Sequence, residues 1–186
     1  RLAQVQKGNE ILGAVFGNLD PSEVAESGLP LQSLLAEQLD RAADELQGDS
    51  TGDPRDVFRL QMTLASSLQG LGEFARALTL LRRAEELATS RLSDQPLLRL
   101  EVLQGLAVVL VSLERGDEAL EVLADAEQLA RGELGPDDAR TWRLIANRGG
   151  TLRELHRPDE AREVLEQALA ELRRLDGPSA KTTLLC

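Results

Sequence analysis

From Leu60 to Leu172 the apolar and polar positions of the chain repeat at a spacing of 42 residues, three times and without a gap. Leu68, Leu110 and Leu152 fall in register, and so do Leu71, Leu113 and Leu155. Ala77, Ala119 and Ala161 follow, then Leu81, Leu123 and Leu165, then Ala84, Ala126 and Ala168. Within each copy the apolar residues recur three and four positions apart, which sets them on one face of a helix. Self-similarity at a fixed period signals a repeat architecture, in which each unit buries its apolar face only by stacking on the next. The pattern predicts helix pairs near 55–70 and 73–90, near 96–113 and 117–131, and near 137–154 and 158–174. Gly72, Gly116 and Pro158 mark the tight turns inside the pairs, at one phase of the period or within two residues of it. Asp53-Pro54 reads as a helix start, because Asp accepts backbone N–H bonds at the N-cap and Pro loses nothing at the first helical position.

A two-helix hairpin needs a small residue where its helices cross closest and larger apolar residues above and below. Ala77, Ala119 and Ala161 are the small residues of the second helices, with Leu81 and its equivalents one turn on. In the first helices Leu64 and Leu106 stand beside Ala65 and Ala107, followed by Leu68, Leu110 and Leu152. The third copy breaks the pattern: Arg148 occupies the position of Leu64 and Leu106, next to Gly149. The linker between units also recurs, since residues 135–142 (Gly-Pro-Asp-Asp-Ala-Arg-Thr-Trp) return 42 positions later as residues 177–184 (Gly-Pro-Ser-Ala-Lys-Thr-Thr-Leu). A fourth unit is therefore expected to begin near residue 176, and the chain, which starts at Arg1 without a methionine, is read as a segment of a longer protein.

Ahead of the repeats, residues 1–19 carry Leu2, Val5, Ile11, Leu12, Val15, Phe16 and Leu19 at helical spacings. Asp20-Pro21 stops that helix, and a second follows over about 31–46 with Leu35, Leu39 and Ala42 one period before Ala77, Leu81 and Ala84. The expected organisation is an N-terminal helical cap with a degenerate half repeat over 1–50, three helix pairs over 51–175 (54–92, 96–134 and 137–175), and the start of a fourth over 176–186. The fold class is all-α: a right-handed α-solenoid of antiparallel helix pairs, about eight helices in all.

Composition agrees with this and removes several functions. The chain has 186 residues, no Tyr, one Trp and three Phe, and its apolar content comes as Leu, Ala and Val, which favours helix over sheet. A net charge of -11 argues against nucleic-acid binding, which needs a basic face. Cys186 is the single cysteine, so neither an internal disulfide nor a Cys-based zinc site is expected. The longest apolar run, Leu106 to Leu113, falls far short of the roughly 20 residues of a membrane helix, so this segment is not expected to insert directly into a membrane. Residues 177–183 share a Gly, a Lys and a Thr with a phosphate-binding loop, but they lack the glycine before Lys181, are one residue short and follow a helix. His156-Arg157-Pro158-Asp159 matches a kinase catalytic loop only by its letters, and the period puts it in a turn. His156 is the sole histidine, without a cysteine, carboxylate pair or serine at useful spacing. No catalytic, cofactor-binding or metal site is expected, and the chain is not read as an enzyme.

The order large–small–x–x–large in the first helix, then Ala–x3–large–x2–Ala in the second, resembles the tetratricopeptide repeat. The 42-residue spacing and the Leu-Gly-Pro-Asp linker of residues 134–137 are similar to the kinesin-light-chain variety. Leucines replace the usual aromatic positions, and the linker of residues 92–96 has lost its Gly-Pro. The resemblance implies a protein or peptide partner held in a groove lined by the first helices. Carried onto this register, the groove positions are Arg59, Met62, Ser66 and Gln69, then Glu101, Gln104, Val108 and Val111, then Arg143, Asn147, Gly150 and Arg153. The Lys/Asn set that grips a C-terminal carboxylate is absent apart from Asn147. An apolar strip of Met62, Val108 and Val111, flanked by Arg143 and Arg153, suits an apolar-and-acidic peptide or helix. The alternative is that Val108 and Val111 pack against neighbouring units or the N-terminal helices. Residues 19–23 (Leu-Asp-Pro-Ser-Glu) and 39–46 (Leu-Asp-Arg-Ala-Ala-Asp-Glu-Leu) are similar to the segment after the membrane anchor in bacterial serine/threonine protein kinases with C-terminal repeats. That likeness implies a sensing or docking portion of a signalling protein and leaves the compartment open. Self-association through an exchanged terminal unit is the competing interaction reading, and an enzyme or nucleotide-binding domain the more distant one.

Overall fold

The computed structural model describes residues 53–176 and, before them, residue 37 alone. The two helices expected within 1–50 and the fourth unit expected from 176 onward lie outside the described residues, apart from these two positions. Among the described residues there are six helices and no strand. They are α1 (Pro54–Gly70), α2 (Phe74–Ser90), α3 (Pro96–Ser112), α4 (Gly116–Glu133), α5 (Ala139–Glu154) and α6 (Pro158–Asp176). Each expected helix of the three pairs is present, with ends shifted by no more than two residues.

Local chemistry explains where the helices begin. The Asp53 carboxylate accepts from the Arg55 backbone N–H at 2.9 Å, and Pro54 opens α1. Asp138 does the same for α5, accepting from the Arg140 N–H at 2.8 Å. Before α3 the cap is Gln95, whose side chain makes no such bond, so the linker that lost Gly-Pro also lost its capping carboxylate.

The turns inside the pairs correct one expectation. The residues with left-handed backbone are Gly72 (φ 79°), Glu114 (φ 59°) and His156 (φ 57°), spaced by the repeat period. In all three, two backbone bonds close the helix end: Gly72 N–H to Gln69 O and Glu73 N–H to Leu68 O, then Glu114 to Val111 and Arg115 to Leu110, then His156 to Arg153 and Arg157 to Leu152. This is the Schellman closure, which satisfies carbonyls that the helix leaves free. Gly116 and Pro158 are therefore not the turn residues; they are the first residues of α4 and α6. Gly116 is small for another reason: a Cβ there would lie 2.0 Å from the Leu155 side chain of the next pair.

The chain divides into two compact units, 1–84 and 85–186, with the boundary inside α2. In the N-terminal unit α1 buries Phe58, Gln61, Leu64, Ala65 and Leu68, and α2 buries Ala77, Leu80, Leu81 and Ala84. In the C-terminal unit α3 packs on α4, α4 on α5, and α5 on α6. Ala119, Leu123, Ala126 and Ala130 of α4 are buried, and Ala161, Ala168 and Leu172 repeat the row on α6. The last pair closes on a cluster of Trp142, Ile145, Ala146, Ala168 and Leu172. Gly149 lets α6 come near, for a Cβ there would sit 2.7 Å from Leu165 Cγ.

The α4–α5 linker is tied down by its own repeat residues. The Thr141 hydroxyl donates to Gly135 O at 2.9 Å, and Trp142 Nε1 donates to Pro136 O at 2.6 Å. Arg174, at the end of α6, reaches back to Asp137 in the same linker. Arg148, the break in the repeat pattern, is half-buried against α4, where its Nε lies 3.4 Å from Glu127 Oε2. Glu127 also accepts from Arg131, whose guanidinium stands 5.2 Å over the Trp142 ring. The substitution of Arg for Leu thus exchanges an apolar contact for a charged link between two successive pairs.

Candidate functional site

In the C-terminal unit the helix pairs leave an open concavity of about 1060 Å³, lined by α3, α5 and α6 with Leu123 of α4. Its α3 wall is Gln104, Ala107, Val108, Val111 and Ser112. Val108 is 58% exposed, one of the two large apolar side chains of α3 that are exposed. α5 contributes Asn147, Gly150, Thr151 and Arg153 among others. Gly150 has open space beside its Cα, which keeps the floor of the concavity low.

These helices present such residues because the buried positions of α3 and α5 are taken by the pattern itself. Val102, Leu103, Leu106 and Leu110 are buried on α3, as Leu144, Ile145 and Leu152 are on α5, and part of what remains of each circumference faces the concavity. The concavity brings together Gln104, Val108, Val111, Asn147, Gly150 and Arg153 from the groove positions carried over from the repeat family. Glu101 and Arg143, exposed on the same helices, do not line it. Arg59, Met62, Ser66 and Gln69 stand three, four and three residues apart on α1 and share one face, in the N-terminal unit; Arg59 and Ser66 are exposed, Met62 and Gln69 half-buried.

The wall that sequence reasoning missed belongs to α6. Pro158, Ala161, Leu165, Leu169 and Arg173 line the concavity along one side of that helix. They occupy the register of Gly116, Ala119, Leu123, Glu127 and Arg131 on α4. They repeat the α4 positions one period on, so the register itself marks them.

The electrostatics separate structural arginines from free ones. Arg115 is paired with Glu118, Arg131 with Glu127, Arg140 with Asp138, Arg157 with Glu160 and Arg174 with Glu171. Among the described residues Arg153 and Arg173 have no carboxylate within ion-pair distance, and both face the concavity. Arg162, beside them, lies 3.5 Å from Asp159 on an open surface. The Arg140 guanidinium, bonding side chain to side chain, and then the Arg140 backbone N–H hold the Asp138 carboxyl down at about 2 from its ordinary 3.8. The Arg157 guanidinium likewise holds Glu160 below the usual carboxylate range. Both groups sit at helix starts, so these shifts belong to folding and not to chemistry on a substrate.

Among the described residues no group of three or more His, Cys, Asp or Glu is placed to hold a metal ion. His156 is exposed in its turn, and none of the described helices is long and apolar enough to cross a membrane. The concavity joins an apolar wall of Val108, Val111, Leu165 and Leu169 with the guanidinium groups of Arg153, Arg162 and Arg173, the carboxylates of Glu154 and Glu166 and the hydroxyls of Ser112 and Thr151.

The described helices form the antiparallel pairs of an α-solenoid, with a concavity in the C-terminal unit. Residues 98–174 match the family model of the tetratricopeptide repeat. No curated protein sequence matches the chain. Among solved structures, the chain is similar to BtubC (BKLC) from P. vanneervenii, with 21% identity and a TM-score of 0.62 over 80% of this chain and 60% of that one. It thus spans less than two thirds of that protein. A putative kinesin light chain with nearly identical TPR-like repeats from Podosopora anserina is similar over 94% of this chain and 93% of its own, with 20% identity and a TM-score of 0.63. The fold is that of a TPR-like solenoid, and tetratricopeptide repeats are in general non-catalytic scaffolds that bind protein partners.

Proposed function

We propose that this chain is a protein-recognition module whose C-terminal unit takes an apolar-and-acidic peptide into the concavity between α3, α5 and α6. The observation that carries this is Val108, a large apolar side chain held 58% exposed on the wall of a recess. It shares that recess with Val111, Leu165 and Leu169, and burying this apolar wall under a partner removes apolar surface from water at about 25 cal/mol per Å². Arg153 on the rim supplies charge for an acidic residue beside the apolar one.

Panning a random peptide library on the protein tests the reading. Enriched peptides should combine large apolar with acidic residues, and Val108→Glu should abolish their binding while circular dichroism and melting temperature stay near wild type. A library without enrichment, or binding indifferent to Val108→Glu, would overturn it. The finer part of the proposal is that the parent is a bacterial serine/threonine protein kinase and that this segment serves signal transduction. Its support is the likeness of residues 19–23 and 39–46 to the segment after the anchor of such kinases. Sequencing the parent gene should reveal a kinase domain upstream, and a gene without one removes this part alone.

A further inference from the structure

α5 carries two consecutive glycines whose surroundings differ. At Gly149 a Cβ would sit 2.7 Å from Leu165 Cγ, so this residue is bare because α6 comes close. At Gly150 a Cβ would meet nothing within 4 Å. Gly150 stands inside α5, which runs on to Glu154, and its φ is not positive. Neither close packing nor a left-handed turn therefore calls for glycine there, and glycine weakens a helix interior relative to alanine. A local rule broken without an internal gain points to a site where the chain meets something else. The use of glycine at such sites is to let another group approach the backbone closely. Gly150 is placed for this: it lines the concavity, and one period earlier its phase holds Val108, exposed on the α3 wall. At one phase of the repeat, α3 thus offers the recess an apolar side chain and α5 offers it bare backbone.

From this we infer that Gly150 is a specificity-determining residue of the recess: the bare backbone of α5 receives one large apolar side chain of the bound peptide, lying beside Val108. This assignment rests on the peptide-binding reading above, which supplies the peptide's charge, and adds the size of the side chain and the position that selects it. A side chain at Gly150 would enter the space that this group occupies, because a Cβ there points into open space on the wall of the concavity. Alanine would hold the group off by a methyl, and leucine would take its place. The acidic residue of the peptide faces Arg153, one turn along the same face of α5.

The probe is the peptide most enriched when a random library is panned on the full chain, with its affinity followed by fluorescence anisotropy. Gly150→Ala should raise the melting temperature, since alanine favours helix and its Cβ meets no neighbour there. Gly150→Leu should leave circular dichroism unchanged and weaken binding by about tenfold or more. Replacing the large apolar residue of the peptide by alanine should weaken binding to wild type by a similar factor. The same replacement should change binding to Gly150→Leu by less than about twofold, because that variant has already displaced the group. Such coupling separates a direct contact from a general disturbance of the recess. Panning repeated on Gly150→Leu should enrich a small residue at that position of the peptide. Equal binding to wild type and Gly150→Leu overturns the assignment of Gly150 and leaves the peptide-binding reading in place. So do effects that simply add for every residue of the peptide. A melting temperature lowered by Gly150→Ala also overturns the assignment, because the glycine then serves the fold. A library that yields no enriched peptide overturns the peptide-binding reading itself, and the role of Gly150 with it.

Discussion

At the scale of single residues, the repeat is held by positions whose reason differs from their appearance in sequence. Gly116 looks like a turn glycine and is a contact glycine: a Cβ would meet Leu155 side-chain carbons at 2.0, 2.7 and 2.8 Å. Leucine ends are flexible, so the contact yields in part, and Gly116→Ala should destabilise the protein by about 1–3 kcal/mol through overpacking. Chemical denaturation measures this, and an unchanged midpoint would show that Leu155 moves aside freely. Glu114 and His156 make the opposite case. They hold the left-handed turn that Gly72 holds without strain. Glu114→Gly and His156→Gly should each stabilise the protein by about 0.5–1 kcal/mol, the relief being offset in part by the entropy glycine brings to the unfolded chain. Here the sequence was only half legible. The period placed the three turns, but Glu and His carry no sign of φ above zero, and the nearby Gly116 drew the assignment two residues off. Arg148 is similar: its departure from leucine was visible at once, while its partner Glu127 lies on the preceding helix and needed the packing of α4 on α5 to be found.

At the scale of elements, helix starts carry the pH sensitivity. Asp138 caps α5, and its carboxyl is held at about 2 by Arg140, below the 3.8 it would have in the unfolded chain. Between these values the unfolded state binds more protons than the folded one, so stability falls as pH falls. The contribution of Asp138 is complete above pH 3.8, declines below it, and is lost as pH passes through about 2. Asp138→Asn keeps an N-cap acceptor but does not titrate, so its melting temperature should fall less steeply over that window than wild type. Equal slopes would mean that the Arg140 bonds form in the unfolded chain too. The helices themselves were the most legible part of the chain, since apolar spacing, Asp caps and prolines all agree on them. What remained hidden was which residues of α6 line the concavity. Its row repeats that of α4 except that Leu169 stands where α4 has Glu127 and Pro158 where it has Gly116, and Leu165 is half-buried where Leu123 is buried.

At the scale of the molecule, a stacked array is stable as a sum of its units and of the interfaces between neighbours. In the C-terminal unit α3 and α4 are bounded by α5, whereas α6 has a neighbour on one side only among the described residues. Links from the last pair to the one before it include Leu155 on Gly116, Arg148 with Glu127, Trp142 under Arg131, and the Thr141 hydroxyl donating to Ala130 O. Opening free energies within one domain range from near zero up to the global value, and they follow local burial. Amide exchange should therefore be slowest in the middle of α3 and α4, where Val102, Leu106, Leu110 and Leu123 are buried, and faster along α6. Arg148→Leu would test whether the charged link matters. Leucine restores the repeat pattern but leaves Glu127 with Arg131 alone, so α5 and α6 should exchange faster relative to α4 if the link couples the pairs. If instead their protection rises, apolar packing at that position outweighs the ion pair, and Arg148 is retained for a reason other than stability.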